Sequence, residues 1–231
     1  MNPGDCRGFF STRCEDTMSD FNLLWSTPFL RAATQSSELA HQLRDVILDC
    51  EVEGFRKKNS PQRSHDNVFE SEFDFLSWQR EPIPAFREML IGYLGNFLKL
   101  VNEINDEKLN ELSFDNHCWF HIYRDGGYFQ PHNHPNASWS LVYCVDPGDE
   151  KPENESMAGH IMFSDPRQAN AYLDPANNGM RRDMSFNAIR MRLQPAELLI
   201  FPSYLYHAVE PYKGGKPRIT VAANFWFRQN L

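Results

Sequence analysis

Leu198-Leu199-Ile200-Phe201-Pro202-Ser203-Tyr204-Leu205-Tyr206-His207-Ala208-Val209 reads as an apolar strand, a turn at Pro202-Ser203, and a second strand led by a histidine. Its neighbours give His207 an apolar setting. A lone histidine there is more often a satisfied core residue than a ligand. A second stretch changes that weighting: Gln130-Pro131-His132-Asn133-His134-Pro135. In an extended chain, residues i and i+2 project to the same side, so two imidazoles two apart can meet one ion. Pro131 and Pro135 stiffen this segment and discourage a helix. The residues 117–227 are therefore expected to form a β-domain holding a metal between His132, His134 and the distant His207.

Outward from this pair, the chain after residue 112 is punctuated by short runs rich in Val, Ile, Tyr, Phe and Trp. Gly, Pro, Asn and Asp separate them. These are strand signals, and they predict strands over 118–123, 138–145, 160–163, 191–193, 197–201, 207–209 and 218–227. In the last of these, Arg218, Thr220 and Ala222 share one face, while Ile219 and Val221 share the other. An Arg fork and a Thr hydroxyl beside a small Ala are the arrangement expected of a carboxylate pocket. The competing reading is an exposed Arg on an edge strand.

The N-terminal half reads differently. The segment 20–33, with Phe21, Leu23, Leu24, Trp25, Phe29 and Leu30, is expected to be extended and packed on a core. Ser36 and Ser37 suit a helix start, with Glu38 in the first turn. Leu39, Leu43, Val46 and Ile47 recur at helical steps, and Gly54 suits the stop. Residues 56–67 look loop-like. A second helix begins near Pro84 and carries a long apolar stripe from Phe86 to Ile104, which is core material. Helices first and many short strands afterwards predict an α+β domain around a sandwich or barrel. The expected organisation is a loose extension at 1–17 and one domain over 18–231. Within it, 18–112 is mainly helical support and 113–231 the β core. The polar insert 164–187, with Arg167, Arg181 and Arg182, is a candidate lid or substrate contact.

Composition excludes some classes. The chain has 231 residues, 41% of them hydrophobic, and a formal charge of −8. A general phosphate-backbone binder would carry the opposite sign, so nucleic acid is not the expected partner. No stretch approaches 18 uninterrupted apolar residues, so no transmembrane span is expected. Met1–Thr17 lacks the apolar core of a secretory signal. The five cysteines match neither a zinc knuckle nor a disulfide framework, and free thiols in a cytoplasmic protein are the expectation. Oligomeric state is not legible.

Several stretches together resemble the iron- and 2-oxoglutarate-dependent oxygenases, in particular a small group with a His-x-His pair. They are Trp119…Tyr123, Pro131-His-Asn-His-Pro135, Ser138-Trp-Ser-Leu-Val-Tyr143, Gly159-His-Ile-Met-Phe163 with Ser-Asp-Pro-Arg167, Pro195-Ala-Glu-Leu-Leu-Ile-Phe-Pro-Ser203, His207, and Arg218-Ile-Thr-Val-Ala-Ala-Asn224. The resemblance covers residues 117–227. It implies a double-stranded β-helix, the jelly roll of cupins, with Fe(II) held by His132, His134 and His207. It places Arg218 against the distal carboxylate of 2-oxoglutarate, with Thr220, Tyr123 and Asn224 as further cosubstrate contacts. Asn116 is a weaker pocket candidate. The implied reaction consumes O2, converts 2-oxoglutarate to succinate and CO2, and hydroxylates an organic substrate that the sequence does not name.

The broad superfamily uses His-x-Asp or His-x-Glu, whereas His134 stands at the carboxylate position here. A third imidazole leaves the site at net 2+ where a carboxylate would give 1+. Asp125 or Asp165 from a loop is the alternative third ligand. Two other functional classes also stay open: a three-histidine zinc hydrolase or lyase, and a non-catalytic cupin-like module that keeps its metal for stability.

Overall fold

The computed structural model describes residues 25–34, 36–54, 65–149, 157–167, 174–175, 177–181 and 183–229. The expectations for the extension at 1–17 and for Arg182, and most of those for the loop at 56–67, lie outside these residues.

The chain runs β1 (Leu30–Ala33), α1 (Ser37–Glu53), β2 (His65–Glu70), α2 (Ile83–Asn102), α3 (Asp106–Asn110), β3 (Leu112–His132), β4 (Trp139–Asp146), β5 (Ile161–Phe163), β6 (Ile189–Met191), β7 (Glu197–Pro202), β8 (His207–Val209) and β9 (Arg218–Gln229). The strands form one sheet in the order β1-β7-β4-β9-β3-β8-β5-β6, and β2 pairs with β3. Every strand pairing is antiparallel.

Local chemistry sets the helices. α1 ends where Gly54 takes φ 84 and its amide bonds Cys50 and Glu51 carbonyls, a left-handed stop that glycine adopts without a Cβ penalty. Ser36 holds the N-cap position, but its side chain makes no capping hydrogen bond, contrary to the expectation for this serine. α2 starts with proline in its first turn, where the missing amide costs nothing.

The two helices cover one face of the sheet. Leu43 and Ile47 of α1, with Phe86, Leu90, Leu94 and Phe97 of α2, bury against Phe120 and Ile122 of β3, Leu198 and Ile200 of β7, and Ile219, Val221 and Phe225 of β9. Each large apolar side chain removed from water in this layer contributes about 1.5–3 kcal/mol. Side chains alternate across a strand, so fixing Ile219, Val221 and Ala223 toward the helices turns Arg218, Thr220, Ala222 and Asn224 the other way. β9 is consequently buried on both faces along most of its length. The edge-strand alternative for Arg218 is excluded, because β9 lies between β4 and β3.

The largest departure from expectation is β3. It spans 21 residues where a strand over 118–123 is expected. Gly126 and Gly127, which fall between the expected strands 118–123 and 138–145, lie inside it. Tyr123 and His132 thereby belong to one strand. β2 also begins at His65, inside the stretch expected to be loop.

Candidate metal centre

The last residue of β3 and the first of β8 are His132 and His207, and they are direct cross-strand partners. Their ring centroids lie 4.4 Å apart. His134 follows just beyond the end of β3, and its backbone N–H donates to Ser203 O at 2.9 Å, which ties it to the turn after β7. Its ring sits 5.1 Å from His132 and 5.3 Å from His207. One nitrogen from each of the three lies within 4.8 Å of the other two, a spacing that fits a single ion.

Two hydrogen bonds prepare these rings for a metal. His132 Nδ1 lies 2.7 Å from Gln130 O, and His207 Nδ1 lies 2.9 Å from Leu205 O. A carbonyl only accepts, so each Nδ1 carries the proton and each Nε2 lone pair is left for a cation. The rings are also held neutral. Burial, with His132 alongside, brings His207 down to about 3 and His134 to about 4; burial lowers His132 as well. Neutral imidazoles are metal ligands, so the donor set fits a divalent cation of the Fe or Zn type.

Neither alternative carboxylate joins the cluster. Asp125 is exposed on β3. Asp165 accepts three hydrogen bonds from Arg167, two of them from the guanidinium. Among the described residues, the three-histidine group stands without an acidic member.

The pocket beside the histidines is lined along β9 by Arg218, Thr220, Ala222 and Asn224, and along β3 by Trp119, His121 and Tyr123. Register pairs them rung by rung: Tyr123 with Arg218, His121 with Thr220, Trp119 with Ala222. Arg218 is 4% exposed. Its guanidinium stacks over the Tyr123 ring at 4.7 Å. Its Nη1 is buried and makes no hydrogen bond. A buried cation with an unmet donor is costly, and a carboxylate satisfies both deficits. Burial pushes the Tyr123 phenol up, against the pull of Arg218 and Thr220, so it stays a neutral donor.

Asn224 closes a short relay. Ser140 Oγ donates to Asn224 Oδ1 at 2.7 Å and lies 2.8 Å from Ser203 Oγ. Ser140 has one hydroxyl proton, so Ser203 donates to it and the Asn224 amide nitrogen remains for the pocket. Asn116, by contrast, lines a separate groove with Glu72, Phe73 and His117. Among the described residues of 164–187, none lines the pocket: Arg167 is engaged by Asp165 and Arg181 by Asp183.

Phe129 also lines the pocket, as do Trp119 and Ser140, which the resemblance includes without giving them a role, and His121, which the sequence leaves open between core and pocket. The period-two alternation back from Tyr123 would have found Trp119 and His121.

Residues 117–224 match the family described as "Putative 2OG-Fe(II) oxygenase". This domain belongs to the 2-oxoglutarate- and iron-dependent oxygenases. No curated protein matches the chain in sequence. Among solved structures, the oxygenase chain is similar to a prolyl-4-hydroxylase of Pseudomonas putida, at 13% identity and TM-score 0.58, covering 88% of this chain and 93% of that one. It is similar to a prolyl hydroxylase of Trichoplax adhaerens solved with a hypoxia inducible factor peptide, at 14% identity and TM-score 0.53, covering 86% and 83%. It is also similar to the non-haem alpha ketoglutarate dependent epimerase SnoN of nogalamycin biosynthesis, at 6% identity and TM-score 0.59, covering 87% and 76%. The shared fold is the double-stranded β-helix expected from the sequence.

The oxygenase is thus an oxidoreductase using Fe(II), 2-oxoglutarate and O2, and the zinc-hydrolase and non-catalytic alternatives give way to it. No helix among the described residues is long and apolar enough to cross a membrane.

Proposed function

We propose that this oxygenase hydroxylates an organic substrate at Fe(II) held by His132, His134 and His207, with 2-oxoglutarate anchored by Arg218. The observation that carries the reading is the buried, unsatisfied Arg218 Nη1 on the same pocket wall as the three-histidine cluster. An Arg fork aimed into such a pocket calls for an anion, and a dicarboxylate joined to the metal is one that reaches both.

The chain's own residues divide the work. His132 and His207 offer Nε2 lone pairs because Gln130 O and Leu205 O take their Nδ1 protons. Arg218, Thr220 and Tyr123 receive the distal carboxylate. Asn224 lies six residues along β9 from Arg218, about 20 Å at the usual rise of about 3.3 Å per residue. We therefore assign its amide to the substrate side of the metal rather than to the distal carboxylate. Phe201, Val142, Ile161 and Val209 make the rest of the wall apolar and exclude water. When bound, iron supplies O2 activation coupled to decarboxylation of 2-oxoglutarate. Hydroxylation, rather than a different outcome such as the epimerisation named for one structural neighbour, is the outcome we assign. The cytoplasm is the compartment we assign, on the free buried thiols of Cys50, Cys118 and Cys144.

The deciding experiment loads the protein with Fe(II) without oxygen and titrates in 2-oxoglutarate. A visible metal-to-ligand charge-transfer band is expected. No band at saturating cosubstrate, with iron confirmed bound, overturns the assignment.

A further inference from the structure

Asn224 is 8% exposed and stands on the pocket wall with the three histidines. Two buried serines fix its side chain: Ser140 Oγ lies 2.7 Å from Asn224 Oδ1 and 2.8 Å from Ser203 Oγ. Proton accounting decides which way the amide faces. With Oδ1 toward Ser140, Ser203 donates to Ser140 and Ser140 donates to Asn224, so both hydroxyl protons are used. Turned over, the amide would donate to Ser140 and Ser140 to Ser203, and the buried Ser203 proton would be left without an acceptor. The NH2 group therefore faces the pocket. Among the described residues, nothing accepts from this Nδ2.

Position along the sheet says what that donor meets. Arg218, Thr220, Ala222 and Asn224 follow one another on one face of β9 and line the same pocket, with Arg218 and Asn224 at opposite ends. The span between the two, about 20 Å along the strand, is more than a five-carbon dicarboxylate covers. Ala222 pairs with Trp119, whose ring lies 5.9 Å from the ring of His134. Ser203, at the far end of the relay, accepts the His134 backbone N–H at 2.9 Å. Asn224 is thus tied to the His134 side of the site, away from Arg218.

The wall beyond Asn224 is aromatic. Its register partner on β3 is His117, and Trp226 follows two residues later on the same face. The His117 and Trp226 rings lie 5.0 Å apart. Phe73 lies 5.6 Å from His117 and 4.6 Å from Trp119. These rings form a row from the exposed His117 and half-buried Trp226 inward to Trp119. Such a row suits an apolar or aromatic body.

Resting on the proposed placing of 2-oxoglutarate at Arg218, we infer that Asn224, held by Ser140 and Ser203, selects the substrate: its NH2 group donates to a carbonyl or carboxylate oxygen on a substrate whose apolar, ring-bearing body lies along Trp119, Phe73, His117 and Trp226. A carbonyl or carboxylate oxygen only accepts, which matches a donor whose own oxygen is already engaged by Ser140.

The test uses the intact protein, loaded with Fe(II) and 2-oxoglutarate without oxygen. The probes are 2-phenylacetamide and phenylacetate, each with one ring and one kind of acceptor. Binding is read as a shift of the charge-transfer band and as a change in tryptophan fluorescence, neither of which needs turnover. At least one probe is expected to bind wild type at millimolar concentration, and the tighter of the two identifies the acceptor. Asn224→Leu, similar in size but without a donor, is expected to weaken that probe about tenfold, the scale of one buried hydrogen bond. The double variant Ser140→Ala with Asn224→Leu removes both partners of that bond, leaves no orphaned Ser140 hydroxyl, and is expected to show the same loss with its fold intact. Ser140→Ala alone unpins the amide and is expected to give a smaller loss, which Ser140→Thr restores. Iron content, melting temperature and 2-oxoglutarate affinity are measured in each protein. No binding of either probe to wild type overturns the inference, as does equal probe affinity in wild type and both Asn224 variants. A loss of 2-oxoglutarate affinity matching the loss of probe affinity also overturns it, by placing Asn224 at the cosubstrate. A wild type that binds iron but gives no band overturns the cosubstrate site instead, and is told apart because fluorescence still reports the probes.

Discussion

His132 and His207 face one another as a cross-strand pair between β3 and β8, 75 residues apart in the chain and 4.4 Å apart between ring centroids. Each is locked by a carbonyl two residues before it. Two of the three histidines of the candidate metal centre are therefore placed by sheet pairing, and the third by its backbone bond to the turn after β7. That rigidity is what a low-reorganisation site requires.

His207→Ala is expected to abolish tight metal binding. The loss should exceed the roughly 10–100-fold that removing an outer hydrogen-bond partner costs a metal site. Metal content after dialysis against a weak chelator reads the effect. Stoichiometric iron in the variant would remove His207 from the ligand set.

Arg218→Ala is expected to weaken 2-oxoglutarate by about 10–100-fold, at one to two hydrogen bonds to a charged group. Arg218→Lys keeps the charge but loses the planar fork and the stacking on Tyr123, so it should recover only part of the affinity. Calorimetric titration of the metal-loaded protein measures both. Equal affinity in all three proteins contradicts the role of the orphaned Nη1.

The metal-free protein should lose stability as pH falls from about 7.5 to 5.5, a window in which ordinary carboxylates stay ionised. His207, at about 3, and His134, at about 4, sit below the unfolded value of about 6.5. Protons therefore bind the unfolded chain first, and stability drains away below about pH 6.5. The melting temperature should drop across that window, and His207→Gln should flatten the drop. A profile identical in the two proteins would refute the linkage.

Gly148→Ala should destabilise the fold by about 1–3 kcal/mol, the cost of overpacking. Gly148 has φ 80, and a Cβ there would overlap the Tyr212 hydroxyl. That hydroxyl donates to Lys216 O at 2.7 Å and is fully buried. Denaturant titration gives the number, with iron binding expected unchanged. A variant as stable as wild type would show that Tyr212 moves aside at no cost.

Much of this was legible in the residues themselves. The strand runs over 207–209 and 218–227, the helical stripes around Leu43 and Leu94, and the stop at Gly54 follow from short-range rules. Alternation along Arg218-Ile-Thr-Val-Ala assigned each side chain its face before any partner was known, because the period of a strand is two. Identities along the chain also named the three histidines and the arginine.

Tertiary structure decided the rest. Glycines at 126 and 127 fall outside the strands expected from local signals, yet pairing with β2 and β8 carries β3 through them to His132. Backbone hydrogen bonds from other strands are invisible to a local rule. The same holds for His121, whose place beside Thr220 and Glu70 exists only once β2, β3 and β9 are in register. Sequence alone determined which residue types could hold a metal and a carboxylate. Only the folded sheet decided that His134, and neither Asp125 nor Asp165, stands with His132 and His207, because bringing a ligand within 4.8 Å of two others is a matter of strand pairing and turn geometry.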